Sequence, residues 1–412
     1  MKKMSVIALF VLLLTACGTA DQAPIDQDDD SNVSSSENID QTIIDANNQL
    51  GFDLLSTIES DENGNTFISP TSLFMALSMV YNGADGETRQ EMVDTLQLDE
   101  IEGDQLNQAN ASLLAIMNDD SRQAELKMGN SIWLNQEFQF QNDFLENNQH
   151  YYHAEMQEIG VADGKSADQI NKWVSEATNE KIDQIVDVPL NPDIVAMLIN
   201  AVYFQGTWTY PFDENRTEEH AFHLEDGSTK NVPLMTLKKN FMYMENGDFQ
   251  AISLPYGDDE EMSMQIFLPN EDKNIADLQD NLTNKDWKKW KSEFQEQEGT
   301  IMLPKFQLEF EASLSKALES LGMKTAFDER QADFSKMVEE DVQIWISEVK
   351  QKTFIDVNEE GTEAAGTTSV DIVTTSAQID PPFEMKVDRP FFMTITDEKT
   401  GALLFMGTIL NP

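Results

Sequence analysis

The chain has 412 residues, 40% of them hydrophobic, which is enough for a real core and excludes a disordered polymer. Acidic residues number 75 against 27 basic ones, the net charge is −48, and the acids are scattered along the chain, so repulsion makes nucleic acid and anionic membrane surfaces poor partners. Cys17 is the one cysteine, which excludes an intrachain disulfide.

The first segment, MKKMSVIALFVLLLTACG, has two lysines, an apolar run of about eleven residues and then Leu14-Thr15-Ala16-Cys17. It is too short to span a bilayer and has the shape of a secretory signal. It resembles a bacterial lipoprotein signal, which implies that residues 1–16 are removed and Cys17 is lipidated. That resemblance places the protein on the extracellular face of the cell envelope, tied to a lipid membrane through Cys17. Residues 17–39 are acidic and polar with almost nothing apolar, so they are expected to form a flexible tether, and the folded domain is expected to span 40–412.

In NTFISPTSLFMALSMVYNGADGET, Ser69 is a candidate N-cap, Pro70 the first helical residue, and Gly83 marks the helix end. Ile170, Trp173, Val174 and Ala177 recur at i, i+3, i+4 and i+7, which predicts an amphipathic helix. Met262, Met264, Ile266 and Leu268 alternate with their neighbours as in a strand, and Phe306, Leu308 and Phe310 do the same against polar residues. Lys285, Lys288, Lys289 and Lys291 surround Trp287 and Trp290 as the charged face of a helix rather than a polyanion site, so heparin binding is not expected. The ending PFFMTITDEKTGALLFMGTIL reads as two buried strands joined by a polar turn. Both periodicities occur, and the class is α+β.

Catalytic signals are missing. There is no Gly-x-Ser-x-Gly elbow, no His-Glu-x-x-His helix, and no cysteine in the mature domain to act as a nucleophile. GVADGKS has three residues between its glycines where a phosphate loop needs four, so it reads as a turn. The histidine pairs His150/His153 and His220/His223 have i, i+3 spacing, but lack acidic or cysteine partners at a recognisable spacing and read as surface residues. Neither an enzyme activity nor a cofactor or metal is expected.

The stretch EEGTEAAGTTSVDIVTTS, residues 359–376, has a linker's composition with a strand's parity. Thr362, Ala364, Gly366, Thr368, Val370 and Ile372 are small or apolar, while Glu363, Thr367, Ser369 and Asp371 are polar. This segment and NTFISPTSLFMALSMVYNGADGETRQEM, INKWVSEATNEKI, LINAVYFQGTWTYPFDENRT, ISLPYGDDEEMSMQIFLPN, LPKFQLEFEASLSKALESLGM and DRPFFMTI...LLFMGTILNP resemble the serpins, in that family's order. The resemblance implies a single domain with three β-sheets, eight or nine helices and an exposed reactive centre loop, acting as a monomer.

It further implies an irreversible suicide inhibitor of serine proteases, whose cleaved loop enters the central sheet as a new strand held by main-chain hydrogen bonds. Glu359, Gly361 and Thr362 match the family's hinge, and Glu363, Ala364, Ala365, Gly366 and Thr367 continue it without a bulky or charged residue on the inward side. Trp208 matches the tryptophan where insertion begins. Ser69, Ser72 and Asn200 match the polar cluster beneath the sheet, whose fourth member is usually histidine and here is Gln351. The family's loop length places the reactive bond at Thr375-Ser376, give or take about one residue. Between Glu359 and Asp388 the one basic residue is Lys386, so a trypsin-like target is excluded. An elastase-like or subtilisin-like protease is expected instead. The alternative is a non-inhibitory binding or chaperone-like protein of the same fold.

Overall fold

The structure, a computed structural model, describes residues 40–412 except 100, 119–121, 162–163, 280–281 and 363–380. The chain divides into two units, Met1–Ser34 and Ser35–Pro412, and the first lies outside the described residues. So do the expected signal and tether with Cys17, the hinge residues Glu363, Ala364, Ala365, Gly366 and Thr367, and the reactive bond Thr375-Ser376.

Among the described residues there are nine α-helices: α1 (Gln41–Leu55), α2 (Pro70–Tyr81), α3 (Gly86–Leu96), α4 (Gly103–Met117), α5 (Asn142–Tyr152), α6 (Lys165–Ala177), α7 (Ile275–Gln279), α8 (Asn284–Glu293) and α9 (Ser315–Leu321). Asp40 caps α1 by accepting the Thr42 N–H at 2.9 Å. Ser69 caps α2 by accepting the Ser72 N–H at 3.3 Å, with Pro70 in the first turn, where its missing N–H costs nothing. Every residue of α2 is buried, as a helix at the centre of the domain requires.

The strands are β1 (Thr66–Ile68), β2 (Ala124–Asn135), β3 (Glu155–Ile159), β4 (Ala196–Thr207), β5 (Glu218–His223), β6 (Thr229–Glu245), β7 (Phe249–Tyr256), β8 (Met262–Pro269), β9 (Gln295–Pro304), β10 (Phe306–Ser313), β11 (Ile346–Val357), β12 (Gly361–Thr362), β13 (Phe383–Lys386), β14 (Phe391–Asp397) and β15 (Leu403–Ile409). Nine of them form one sheet in the order β1-β15-β14-β8-β7-β6-β9-β13, with β5 on β6. Six form the other, β10-β11-β12-β4-β2-β3. The resemblance implies three sheets; hydrogen bonding joins the described strands into two because the 17-residue β6 is shared. It pairs with β5 near its start, with β9 through its middle and with β7 at its end.

The predicted strands lie where the alternation puts them. The inward residues of β10 are buried and the outward ones exposed in strict succession, while β14 and β15 are buried throughout. Strand β4 has no visible parity because both its faces are covered. Leu198, Val202 and Phe204 join the main core, and Met197, Ile199, Ala201 and Tyr203 join a second core with Ile170 and Val174 of α6.

Candidate functional site

The site is the seam between β4 and β11. These strands run parallel and pair directly from Ala196/Ile346 to Tyr203/Phe354. Beyond that point they diverge, and β12 occupies the opening. Thr362 lies opposite Val357 on one side and Gly206 on the other, and Gly361 lies opposite Thr207. The residues Gly361 and Thr362 of the patterned stretch are thus a short central strand, antiparallel to both neighbours. Asn358 makes the reversal from β11 into β12: its N–H donates to the Gly361 carbonyl at 2.9 Å, and its side-chain oxygen accepts the Glu360 N–H at 3.0 Å. A Cβ on Gly361 would stand 2.1 Å from the Gly206 carbonyl oxygen, so only glycine lets β12 approach β4 this closely.

An aromatic pair grips this strand from below. Trp208 stacks on Tyr256 with centroids 4.4 Å apart, and its Nε1 donates to the Asn358 carbonyl at 2.9 Å. The Tyr256 hydroxyl and Thr362 Oγ1 share a 2.8 Å hydrogen bond, and Thr362 is fully buried. Burial pushes the Tyr256 phenol above its ordinary range, so it stays protonated while it holds Thr362. Glu359 is buried and accepts from Lys305 Nζ at 2.7 Å and from the Thr217 hydroxyl at 2.8 Å. Burial alone would raise the Glu359 pKa, but the Lys305 and Thr217 hydrogen bonds outweigh it and hold the carboxyl below the usual glutamate value. Lys305 responds in the opposite sense, raised first by its hydrogen bond to Glu359.

Lower in the seam, Ser69, Ser72, Asn200 and Gln351 come together. Gln351 lies opposite Asn200 in the β4–β11 register and donates to Asn200 Oδ1 at 2.6 Å. It also bridges the Ser69 backbone, accepting its N–H and donating to its carbonyl, both at 3.0 Å. Asn200 Nδ2 donates to the Ser72 hydroxyl and, at 2.5 Å, to Asn130 Oδ1. All four are at most 1% exposed, and the cluster pins both strands of the seam to the start of α2. An amide performs the bridging with no change of charge over the physiological range.

On the opposite face of β11, Lys350 Nζ donates to the Ile185 carbonyl at 3.1 Å and Lys352 Nζ to the Gln184 carbonyl at 2.6 Å. They fasten the segment that follows α6 across the seam. Neither lysine stands out in sequence, and neither does Tyr256, Asn130 or Lys305. The strand alternation around 350–355 is the one signal that could have exposed the lysines, since it sets them on the face away from Gln351.

The histidines do not enter this site. His153 caps the end of α5 in a left-handed conformation, and His220 and His223 sit on β5, where i, i+3 spacing puts them on opposite faces. Among the described residues no group of three potential metal ligands is found. The lysines around Trp287 and Trp290 lie on α8 as predicted, with both tryptophans buried. Lys288 pairs with Asp45, Lys291 with Glu398 at 2.9 Å, and Lys289 approaches Glu293 at 3.9 Å.

A family model described as serpin (serine protease inhibitor) matches residues 45–412. An uncharacterized serpin-like protein of Methanosarcina acetivorans is 32% identical over 373 residues, covering 89% of this chain and 85% of the relative. Serpin B6 of Pongo abelii is 34% identical over 378 residues, covering 90% and 99%. Among solved structures, the thermophilic serpin tengpin in its native state matches with a TM-score of 0.83 at 32% identity, covering 91% of this chain and 96% of that one. Human thyroxine-binding globulin in complex with thyroxine matches with a TM-score of 0.82 at 25% identity, covering 90% and 98%.

Proposed function

Because the chain belongs to the serpin family, whose members are generally protease inhibitors, we propose that it is a suicide inhibitor of elastase-like or subtilisin-like serine proteases. The observation that carries the reading is β12, a two-residue strand that already stands in the seam with the register and polarity an inserted strand needs. Thr362 faces the core beneath the sheet, so residues of the same parity, Ala364 to Ile372, would face inward if the strand grew, and the polar set would face out.

The register can be continued. Thr362 lies opposite Gly206 and Val357, and each further residue moves both antiparallel partners back by one. Six residues on, Thr368 falls opposite Asn200 and Gln351 (206 − 6 = 200; 357 − 6 = 351), where its hydroxyl would replace the Gln351–Asn200 hydrogen bond that insertion breaks. Ten residues on, Ile372 falls opposite Ala196, the first residue of β4. Insertion exchanges the single β4–β11 ladder for two, a gain on the order of ten backbone hydrogen bonds at roughly 1 kcal/mol net each. The waiting fold is held by kinetics, with the Gln351 cluster and the Lys350 and Lys352 ties resisting separation of the strands.

In the proposed reaction the protease serine attacks the Thr375 carbonyl, the Thr375–Ser376 amide breaks, and the Ser376 amine leaves with a proton. The resulting ester is the acyl-enzyme, whose hydrolysis needs base and oxyanion hole aligned to better than about 1 Å. Insertion of about fourteen residues at roughly 3.3 Å each would carry the tethered protease some 45 Å and distort that alignment. Thr375, Thr374 and Val373 are small or β-branched, which suits a shallow specificity pocket. The lipobox-like Leu14-Thr15-Ala16-Cys17 supports lipid anchoring at the outer face of the cell envelope through Cys17.

Mixing the protein with elastase-like and subtilisin-like proteases tests the proposal: a covalent complex should survive boiling detergent. A second reading, a non-inhibitory binding protein, rests on the likeness to thyroxine-binding globulin. It predicts no such complex with any protease, only cleavage of the loop or none.

A further inference from the structure

Away from the seam, on the open face of the nine-stranded sheet, lies a recess of about 360 Å³ between β6, β7 and β8 and the end of α8. Its size falls at the small end of the range of about 300–1,000 Å³ found for small-molecule sites. Its walls are apolar: Met242, Pro255, Phe294 and the ring of Tyr210. Met242 and Tyr210 are 46% and 38% exposed and present apolar surface to the recess.

Its polar groups are built, and carboxylates outnumber ammonium groups among them. Ser263 and Gln265 form a floor that is only 2% exposed. Gln265 Nε2 donates to Ser263 Oγ at 2.6 Å and to Glu398 Oε1 at 3.0 Å, which fixes that carboxylate at the edge. Glu260 accepts from the Tyr210 hydroxyl at 3.5 Å, and Glu296 accepts from Asn240 Nδ2 at 3.2 Å. Burial and then the nearby Glu260 charge raise the Tyr210 phenol above its usual value, against the Lys239 ammonium, which lowers it. Against these three carboxylates stand two ammonium groups: Lys291, bonded to Glu398 at 2.9 Å, and Lys239, 5.3 Å from the Tyr210 ring centre. One negative charge remains in excess, beside an aromatic face and a hydrocarbon wall.

We propose that this recess binds a small organic monocation, an ammonium group on an apolar body. The charged end would lie between Glu260 and Glu296 against the Tyr210 ring, and the body would cover Met242, Pro255 and Phe294. Carboxylates and the ring's negative face attract the cation, while the apolar body gains from leaving water. The protein's charge of −48 raises the local concentration of any cation. This site is independent of the reactive loop and of the inhibitory reading.

Calorimetric titration of the intact protein with phenethylamine tests it, with phenethyl alcohol and phenylacetate as neutral and anionic probes of the same shape. Saturable one-to-one binding of the amine is expected, at least about tenfold tighter than the alcohol, with no binding of the acid. The double variant Glu260→Gln, Glu296→Gln should weaken the amine at least about tenfold. Both residues are exposed, so its thermal midpoint should match the wild type. Glu87→Gln, on the remote helix α3, should change nothing. Absence of saturable amine binding, equal binding of the alcohol, an unaffected double variant, or an equal loss in Glu87→Gln would each overturn the proposal.

Discussion

Under the proposed mechanism, replacing Thr362 with Arg perturbs the hinge in both of its states. In the waiting state Thr362 has no exposed surface and its hydroxyl meets Tyr256, so a guanidinium cannot remain there and β12 must leave the seam. That departure loses the pairing to Gly206 and Val357 and strands the buried Tyr256 hydroxyl, an unsatisfied group that costs about 1–3 kcal/mol. During insertion the charge must then enter the sheet interior without a partner, where the effective penalty is several kcal/mol. Even 3 kcal/mol on the insertion barrier slows it roughly 150-fold, at about 1.4 kcal/mol per factor of ten. Insertion competes with hydrolysis of the acyl-enzyme, so the variant should become a substrate. Titration of an elastase-like protease should show the number of inhibitor molecules consumed per protease rising on the order of a hundredfold. Circular dichroism should remain that of a folded protein with a modestly lower thermal midpoint, and Thr362→Ser, which keeps the hydroxyl, should inhibit normally. If Thr362→Arg trapped protease at the wild-type stoichiometry, the placement of this residue in the insertion path would be wrong.

The Glu359 carboxylate has a lowered folded pKa, so the stability it contributes is fully present above the ordinary glutamate value of about 4.5 and is lost as pH falls through its folded value. Acidification below about pH 4.5 should therefore free the hinge, read as changed Trp208 fluorescence, and Glu359→Gln should flatten that response. Gln351→Leu should leave the Ser69 N–H and Asn200 Oδ1 without a partner, while the Ser69 carbonyl keeps the Leu73 N–H, costing roughly 2–6 kcal/mol and lowering the thermal midpoint. Gln351→His should instead make loop insertion depend on pH between about 5.5 and 7.5, a dependence the wild type lacks, since imidazole titrates there and an amide does not. Cys17→Ala should release the protein from membranes into the soluble fraction.

Much of the fold is legible in the sequence because local chemistry and burial agree. Ser69 and Pro70 mark the start of α2 by capping and fixed φ, and Phe306, Leu308 and Phe310 mark β10 by strict alternation. Where both faces of a strand are covered, as in β4, parity disappears and only the apolar run remains. The fusion of sheets through β6 depends on pairings between segments far apart in the chain, which no local period encodes. The hinge follows the same division. Gly361 and the inward parity from Thr362 are visible as residue types, whereas Lys305, 54 residues before its partner Glu359, reads as an ordinary polar position on a strand end. Tyr256 is likewise one aromatic among many until the fold brings it beneath Thr362.

The thermal midpoint before and after one cut in the loop, made within 374–376 by a protease that is not trapped, tests most directly whether this arm completes the seam between β4 and β11. The two fragments should stay associated and melt well above the intact protein, because the freed arm replaces one ladder with two, while cleaved Thr362→Arg should show no such rise. An unchanged or lower midpoint in the cleaved wild-type protein would contradict insertion into this sheet.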